Sequence, residues 1–213
     1  MPTSRRIVCA GLLTALVAAG PVAHGADHPA ETLFFRLDVL LTVAPALSES
    51  ARASMMNEAA AIWRRQGMAI DWKAPTSAET ITRNRLRALV VQKGLVQKSS
   101  HPIAVGELVR PPNGGAVAFV SIDSARQLLA SVRGRAGYEL IAVDQRRLGV
   151  VLGRALAHEI GHYVLDTHTH ARSGLMRPHF DALEFTDHRD GAFALDHAAG
   201  AWLRTRDVER FAY

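Results

Sequence analysis

Five of the ten histidines in this chain fall between His158 and His179, and the first two stand in the run His158-Glu159-Ile160-Gly161-His162, the pattern HExxH. Residues four apart on an α-helix share a face, with Cβ atoms about 5–6 Å apart. Two imidazoles so spaced can converge on one zinc ion at ~2.0–2.1 Å, leaving tetrahedral positions for a third ligand and a water. Glu159 comes one residue after the first histidine, where its carboxylate can reach that water instead of the metal. It can then act as general base on a water whose pKa zinc has lowered to about 7. The expected chemistry is metal-assisted hydrolysis.

A third ligand must come from beyond the helix. Asp166 shares the face of His158 and His162, but at ~1.5 Å of rise per residue it lies about 12 Å from His158 along the axis. The candidates after a turn are His168, His170, His179 and, more distantly, Glu184.

The element that must carry the motif is the longest helix in the sequence, expected from about Asp144 to Leu165. Leu148, Leu152, Leu156 and Ile160 form an apolar stripe on it and read as core. Gly149, Gly153, Ala157 and Gly161 form a second row of small residues. Each glycine costs ~1 kcal/mol of helix stability relative to alanine, so a close neighbour is expected along that row, a strand or the turn beneath the metal. Around this helix, strands are expected at 33–45, 68–72, 85–92 and 116–122 from their apolar, β-branched and aromatic content. Helices are expected at 51–67 behind the cap residues Ser48-Glu49-Ser50, at 123–132, and at 195–208. Residues 111–115 (PPNGG) read as a loop, and 166–190 show little periodicity. The fold class expected is α+β, with a small mixed sheet packed on the long zinc-binding helix.

Residues 1–25 read as an export signal instead of a structural element. Arg5 and Arg6 precede fourteen uncharged residues, Ile7 to Gly20, then Pro21 and the small-residue site Ala23-His24-Gly25. Fourteen residues fall short of the ~20 a spanning helix needs. The mature chain, 26–213, is therefore expected to be one domain, without a membrane span, in the periplasm or secreted. Removal of the signal takes the only cysteine, Cys9, and two arginines, leaving 23 basic against 20 acidic residues. A Cys-based metal site and a disulfide framework are thereby excluded. Only three of the basic residues are lysines, and no run of five like charges occurs; a nucleic-acid partner is not expected.

The segment HEIGHYVLDTHTHARSGLM, residues 158–176, resembles the zinc-binding segment of the metzincin clan of metallopeptidases. In that clan HExxHxxGxxH is followed by a turn holding a methionine under the metal. The resemblance implies His158 and His162 as ligands, Glu159 as catalytic base and Met176, in Ser173-Gly174-Leu175-Met176, as the Met-turn residue. It also implies a zincin-like fold. The chain is similar, too, to small exported bacterial proteins with an HEIGHxLL…H…GLMR pattern. Leu165 stands where the clan has glycine, and a left-handed turn costs such a residue ~1–2 kcal/mol. Asp166 tolerates that conformation better, so the turn is expected one residue later. That shift favours His170 as third ligand, as in the exported pattern, over His168, which holds the clan's strict register. Glu184 would imply a thermolysin-like arrangement. The clan's tyrosine after the Met-turn is replaced by Arg177-Pro178-His179, and an arginine or histidine there could polarise the scissile carbonyl.

Two functions are compatible with these residues. One is an exported zinc metalloendopeptidase acting on peptide or protein substrates laid along an edge strand, with Ala116 to Ile122 the first choice. The other is a non-catalytic zinc-binding or structural protein in which the surplus of His168 and His170 closes the site. Glu159 argues for the first, since a structural site needs no base.

Overall fold

Alternation of apolar side chains builds the sheet. Leu37 and Val39 of β1 (Phe35–Val43) are fully buried, as are Leu86 and Ala88 of β3 (Arg85–Val91) and Ala118 of β5 (Val117–Ser121). These side chains share one face of a five-stranded sheet in the order β2-β1-β3-β5-β4. The computed structural model describes residues 35–75, 85–94, 104–112, 115–136, 144–186 and 192–210. The expected export signal and its cleavage site lie outside them. No helix of the described residues is long and apolar enough to cross a membrane.

Strand β1 pairs in parallel with both β2 (Met68–Lys73) and β3, and β3 pairs in parallel with β5. The exception is β4 (Gly106–Val109), four residues that pair antiparallel to β5 and form the outermost strand beside it. The sheet is mixed, and with five helices among the described residues the fold is α+β, as expected. Strand β4 has no legible sequence pattern. Its presence moves the segment Ala116–Ile122 from the edge to the interior: the strand there is flanked by β3 on one side and β4 on the other.

Helix α1 (Glu49–Arg64) begins at Ser48, whose hydroxyl accepts from the Ala51 N–H, and it stops before Gly67 at φ 83°. Helix α2 (Ile122–Ala136) starts a residue earlier and runs further than expected. Helix α3 (Gln145–Val164), capped by the Asp144 carboxylate on the Arg146 N–H, is the long helix. Leu148, Leu152, Leu156 and Ile160 are fully buried in the core with Trp63 and Met55 of α1. A short helix, α4 (Ala182–Thr186), interrupts the stretch expected to be irregular, and α5 (His197–Arg210) closes the described chain.

The row of small residues on α3 has two neighbours. A Cβ on Gly153 would lie 2.6 Å from the Met55 carbonyl oxygen and 2.8 Å from the Glu58 Cβ; one on Gly149 would lie 2.6 Å from the Ser54 Cβ. The partner there is helix α1, not a strand, because only a residue without a side chain lets two helix backbones approach so closely. A Cβ on Gly161 would meet the Met176 sulfur, so the far end of the row does pack on the turn beneath the histidines.

Candidate metal centre and its cavity

The last two turns of α3 bring His158, Glu159 and His162 to one end of a cavity of about 420 Å³, and the following loop brings His170 to it. The ligating nitrogens of His158, His162 and His170 all lie within 4.8 Å of one another, so the three histidines form a group able to hold a metal ion. His168 is exposed and outside that group, and His179 and Glu184 are outside it as well. His179 lines the cavity rim, while Glu184 is bonded to Arg177 at 2.7 Å.

The helix end explains the selection of His170. Leu165 keeps right-handed helical angles, and Asp166 takes the left-handed ones, φ 51°. The Asp166 N–H donates to the Tyr163 carbonyl at 3.3 Å and the Thr167 N–H to the His162 carbonyl at 3.2 Å. These two bonds make a Schellman cap, with aspartate where glycine is usual. Arg110, just past β4, donates to the same His162 carbonyl at 2.9 Å and pairs with Asp166 at 3.3 Å. The Thr167 hydroxyl then accepts from the Thr169 N–H at 3.0 Å, folding the loop so that His168 faces solvent and His170 returns to the helix.

Hydrogen bonds fix the imidazole tautomers. His158 Nδ1 lies 2.7 Å from the Leu175 carbonyl oxygen and His162 Nδ1 lies 2.8 Å from that of Thr167. A carbonyl only accepts, so each Nδ1 carries a proton and each neutral ring presents an Nε2 lone pair. Those two Nε2 atoms are 3.1 Å apart. Burial pushes the His158 pKa down to about 4, and burial lowers that of His162 too, so a proton is a poor occupant of the gap between them. Two nitrogens bound to one tetrahedral ion at ~2.0–2.1 Å are separated by roughly 3.3 Å. The donor set therefore suits a cation. Leu175, which orients His158, is itself held by its N–H on the Ala194 carbonyl at 2.7 Å, the outer support typical of metal-ligating histidines.

Met176 is 3% exposed beneath the group, in a turn where Gly174 takes φ 73°. Glu159 is 6% exposed and lines the cavity. Burial, with the nearby Glu107 carboxylate adding to it, raises the Glu159 pKa to about 8, while a hydrogen bond with the Leu108 backbone opposes the rise. Strand β4 presses on this carboxyl: a Cβ on Gly106 would lie 2.8 Å from Glu159 Oε1. Only glycine fits there.

The sequence reading missed three contributors: Gly106, Arg110 and the buried Arg154. Arg154 had a signal, a lone arginine amid the apolar residues of α3. The other two follow from β4, which is too short to show a period.

No family model and no curated protein matches the chain. A chain of a solved structure described as the GM1 bound form of the ECX AB5 holotoxin aligns with 12% identity and a TM-score of 0.38, over 72% of this chain and 70% of its own. That likeness is too distant to carry a statement about fold or activity.

Proposed function

We propose that the chain is an exported, zinc-dependent metalloendopeptidase of metzincin-like type, with a zincin-like arrangement of its sheet and long helix. The observation that carries this reading is the pair of Nε2 lone pairs 3.1 Å apart, each ring locked by a backbone carbonyl, with a buried glutamate next in sequence and a third histidine closing the group. His158, His162 and His170 would hold the ion. Bound zinc would supply Lewis acidity, lowering the pKa of a water and polarising a carbonyl oxygen.

The residues of the chain do the rest. Glu159 takes the proton of the attacking water and passes it to the leaving amine. Its burial keeps it a strong base, and a cation beside it favours the ionised form needed for the first step. Substrate backbone is best received by β4, the outermost strand, which runs past Glu159 through Gly106. This replaces the interior strand β5 as the docking edge. Arg177 is committed to Glu184 at 2.7 Å and to the Phe180 ring, so His179 on the rim is the better donor for the oxyanion. The closed, non-catalytic alternative needs His168 as a fourth donor, and His168 lies outside the group.

Metal analysis and peptide cleavage test the reading together. The purified chain should hold about one zinc per molecule and cut members of a mixed peptide library. Glu159→Gln should lower cleavage by ~10²–10⁴-fold while retaining zinc. Undiminished cleavage by that variant would remove Glu159 from the chemistry, and a folded chain that takes up no zinc would remove the metal.

A further inference from the structure

The segment after Met176 builds a wall of the cavity that proton transfer does not use. The Arg177 guanidinium lies 4.4 Å over the Phe180 ring. Phe180 stacks on Phe193 with centroids 5.2 Å and planes 16° apart, and the Arg154 guanidinium lies 4.4 Å over Phe193. Phe185 packs its edge against both rings, at 5.2 and 5.6 Å. Phe180 also meets the His158 ring edge-on at 6.3 Å. Phe180 and Phe185 line the cavity, facing the same space as Leu128 of α2 and Ala155 of α3.

Both charged ends are pinned. Arg154 is 3% exposed, and donates to Glu58 of α1 at 2.8 Å and to the Phe185 carbonyl at 2.8 Å. Arg177 donates to Glu184 and to the Gly174 carbonyl of the turn below the histidines. An arginine buried in an apolar helix carries a desolvation cost that its pairing must offset. An aliphatic side chain could fill that volume, but it could not grip α1, the backbone of α4 and a phenylalanine face at once. The guanidinium fork does so with fixed geometry. Ala155, one turn before Glu159, keeps the floor of this apolar recess low.

We propose that the Arg177–Phe180–Phe193–Arg154 array is the specificity wall of the cavity, with Arg154 its positioning residue, and that it selects a bulky apolar substrate side chain, aromatic or leucine-sized, beside the histidine group. The proposal rests on the hydrolase reading for the word substrate, yet the wall can be tested without turnover. A hydroxamate needs only a metal to bind, so calorimetry on zinc-loaded protein with acetyl-phenylalanine hydroxamate and acetyl-alanine hydroxamate reads side-chain preference directly.

The wild-type chain should bind the phenylalanine compound about tenfold or more tightly than the alanine one. Arg154→Lys keeps the charge and loses the fork; zinc content should hold while the preference falls to roughly twofold. Ala155→Leu fills the floor, leaves the array untouched, and should invert the preference, which covers the case of an unfolded Arg154 variant. Equal wild-type affinities, an unchanged preference in folded Arg154→Lys, or an unchanged preference in Ala155→Leu would each overturn the proposal. Size-selective binding without peptide cleavage would sink the hydrolase reading alone; cleavage without selectivity would sink the wall alone.

Discussion

The two halves of α3 are built for opposite purposes from the same spacing. Upstream, Gly149 and Gly153 lie against the backbone of α1 and carry nothing chemical. Downstream, His158, Glu159 and His162 place three polar side chains against the core, with Gly161 resting on Met176. Close packing in the first half supplies rigidity, and the second half spends some of it on groups that water would otherwise solvate. A helix clamped at one end can hold unfavourable side chains at the other, because they cannot escape by letting the helix shift. The upstream half should therefore govern stability, and the downstream half metal binding and chemistry.

The largest effect expected from this contrast is on metal affinity. Four-ligand structural zinc sites are worth ~10–16 kcal/mol, so losing one histidine of three should cost on the order of 4 kcal/mol, roughly a thousandfold in affinity. His170→Ala should show that loss in competition with a chromogenic chelator, with the melting temperature of the metal-free protein nearly unchanged. His168→Ala should leave zinc affinity within a few-fold, because His168 is exposed outside the group. The reverse result would return the third ligand to the strict metzincin register.

A somewhat smaller effect should appear in the pH dependence of the metal-free protein. Folding raises the Glu159 pKa from 4.5 to about 8. The stability this group allows is fully present below 4.5 and declines as pH rises toward 8, since the unfolded chain ionises Glu159 first. The cost at full ionisation is on the order of 4 kcal/mol. Glu159→Gln does not titrate, so metal-free Glu159→Gln should gain on wild type between pH 5 and pH 8. His158, whose pKa burial lowers to about 4, destabilises both proteins alike as pH falls below the ordinary histidine value, and it cancels in the difference. Thermal melts in chelator at several pH values read this gap. A gap that stays flat from pH 5 to 8 would mean that burial of Glu159 costs the downstream half nothing.

How far this division was legible in the sequence differs by residue. HExxH and the leucine stripe are local, helix-period signals, and both stand where that period put them. The turn at Asp166 was also readable, since leucine resists a left-handed conformation and aspartate accepts it. Identifying what covers Gly149 and Gly153 needed three dimensions: a glycine row marks a close approach but carries no label for the partner, which proved to be α1. The wall of Phe180, Phe185 and Phe193 was illegible for a related reason. Its rings come from separate loops and a short helix, so no sequence period links them. Strand β4 is four residues long, and its role comes from where antiparallel pairing to β5 sets Gly106 against Glu159.

The smallest effects test the clamp itself, through one substitution made at both ends of the glycine row. A Cβ at Gly153 would run into the Met55 carbonyl oxygen and the Glu58 Cβ of α1, at 2.6 and 2.8 Å, and the carbonyl belongs to a helix backbone that cannot step aside. Overpacking of this kind costs ~1–3 kcal/mol, set against ~1 kcal/mol gained in helix propensity over glycine. A Cβ at Gly161 would instead meet the Met176 thioether. Methionine has three rotatable bonds and adapts, so the same propensity gain should nearly cancel the clash. Gly153→Ala should thus lower the melting temperature by a few degrees and leave the zinc content of the folded protein at about one per chain. Gly161→Ala should barely move the melting temperature, but by displacing Met176 under the histidines it should weaken zinc binding by a few-fold. Paired melts and zinc titrations decide the matter: if Gly153→Ala weakens zinc as much as Gly161→Ala does, the two halves of α3 are one mechanical unit, and the division of labour between them fails.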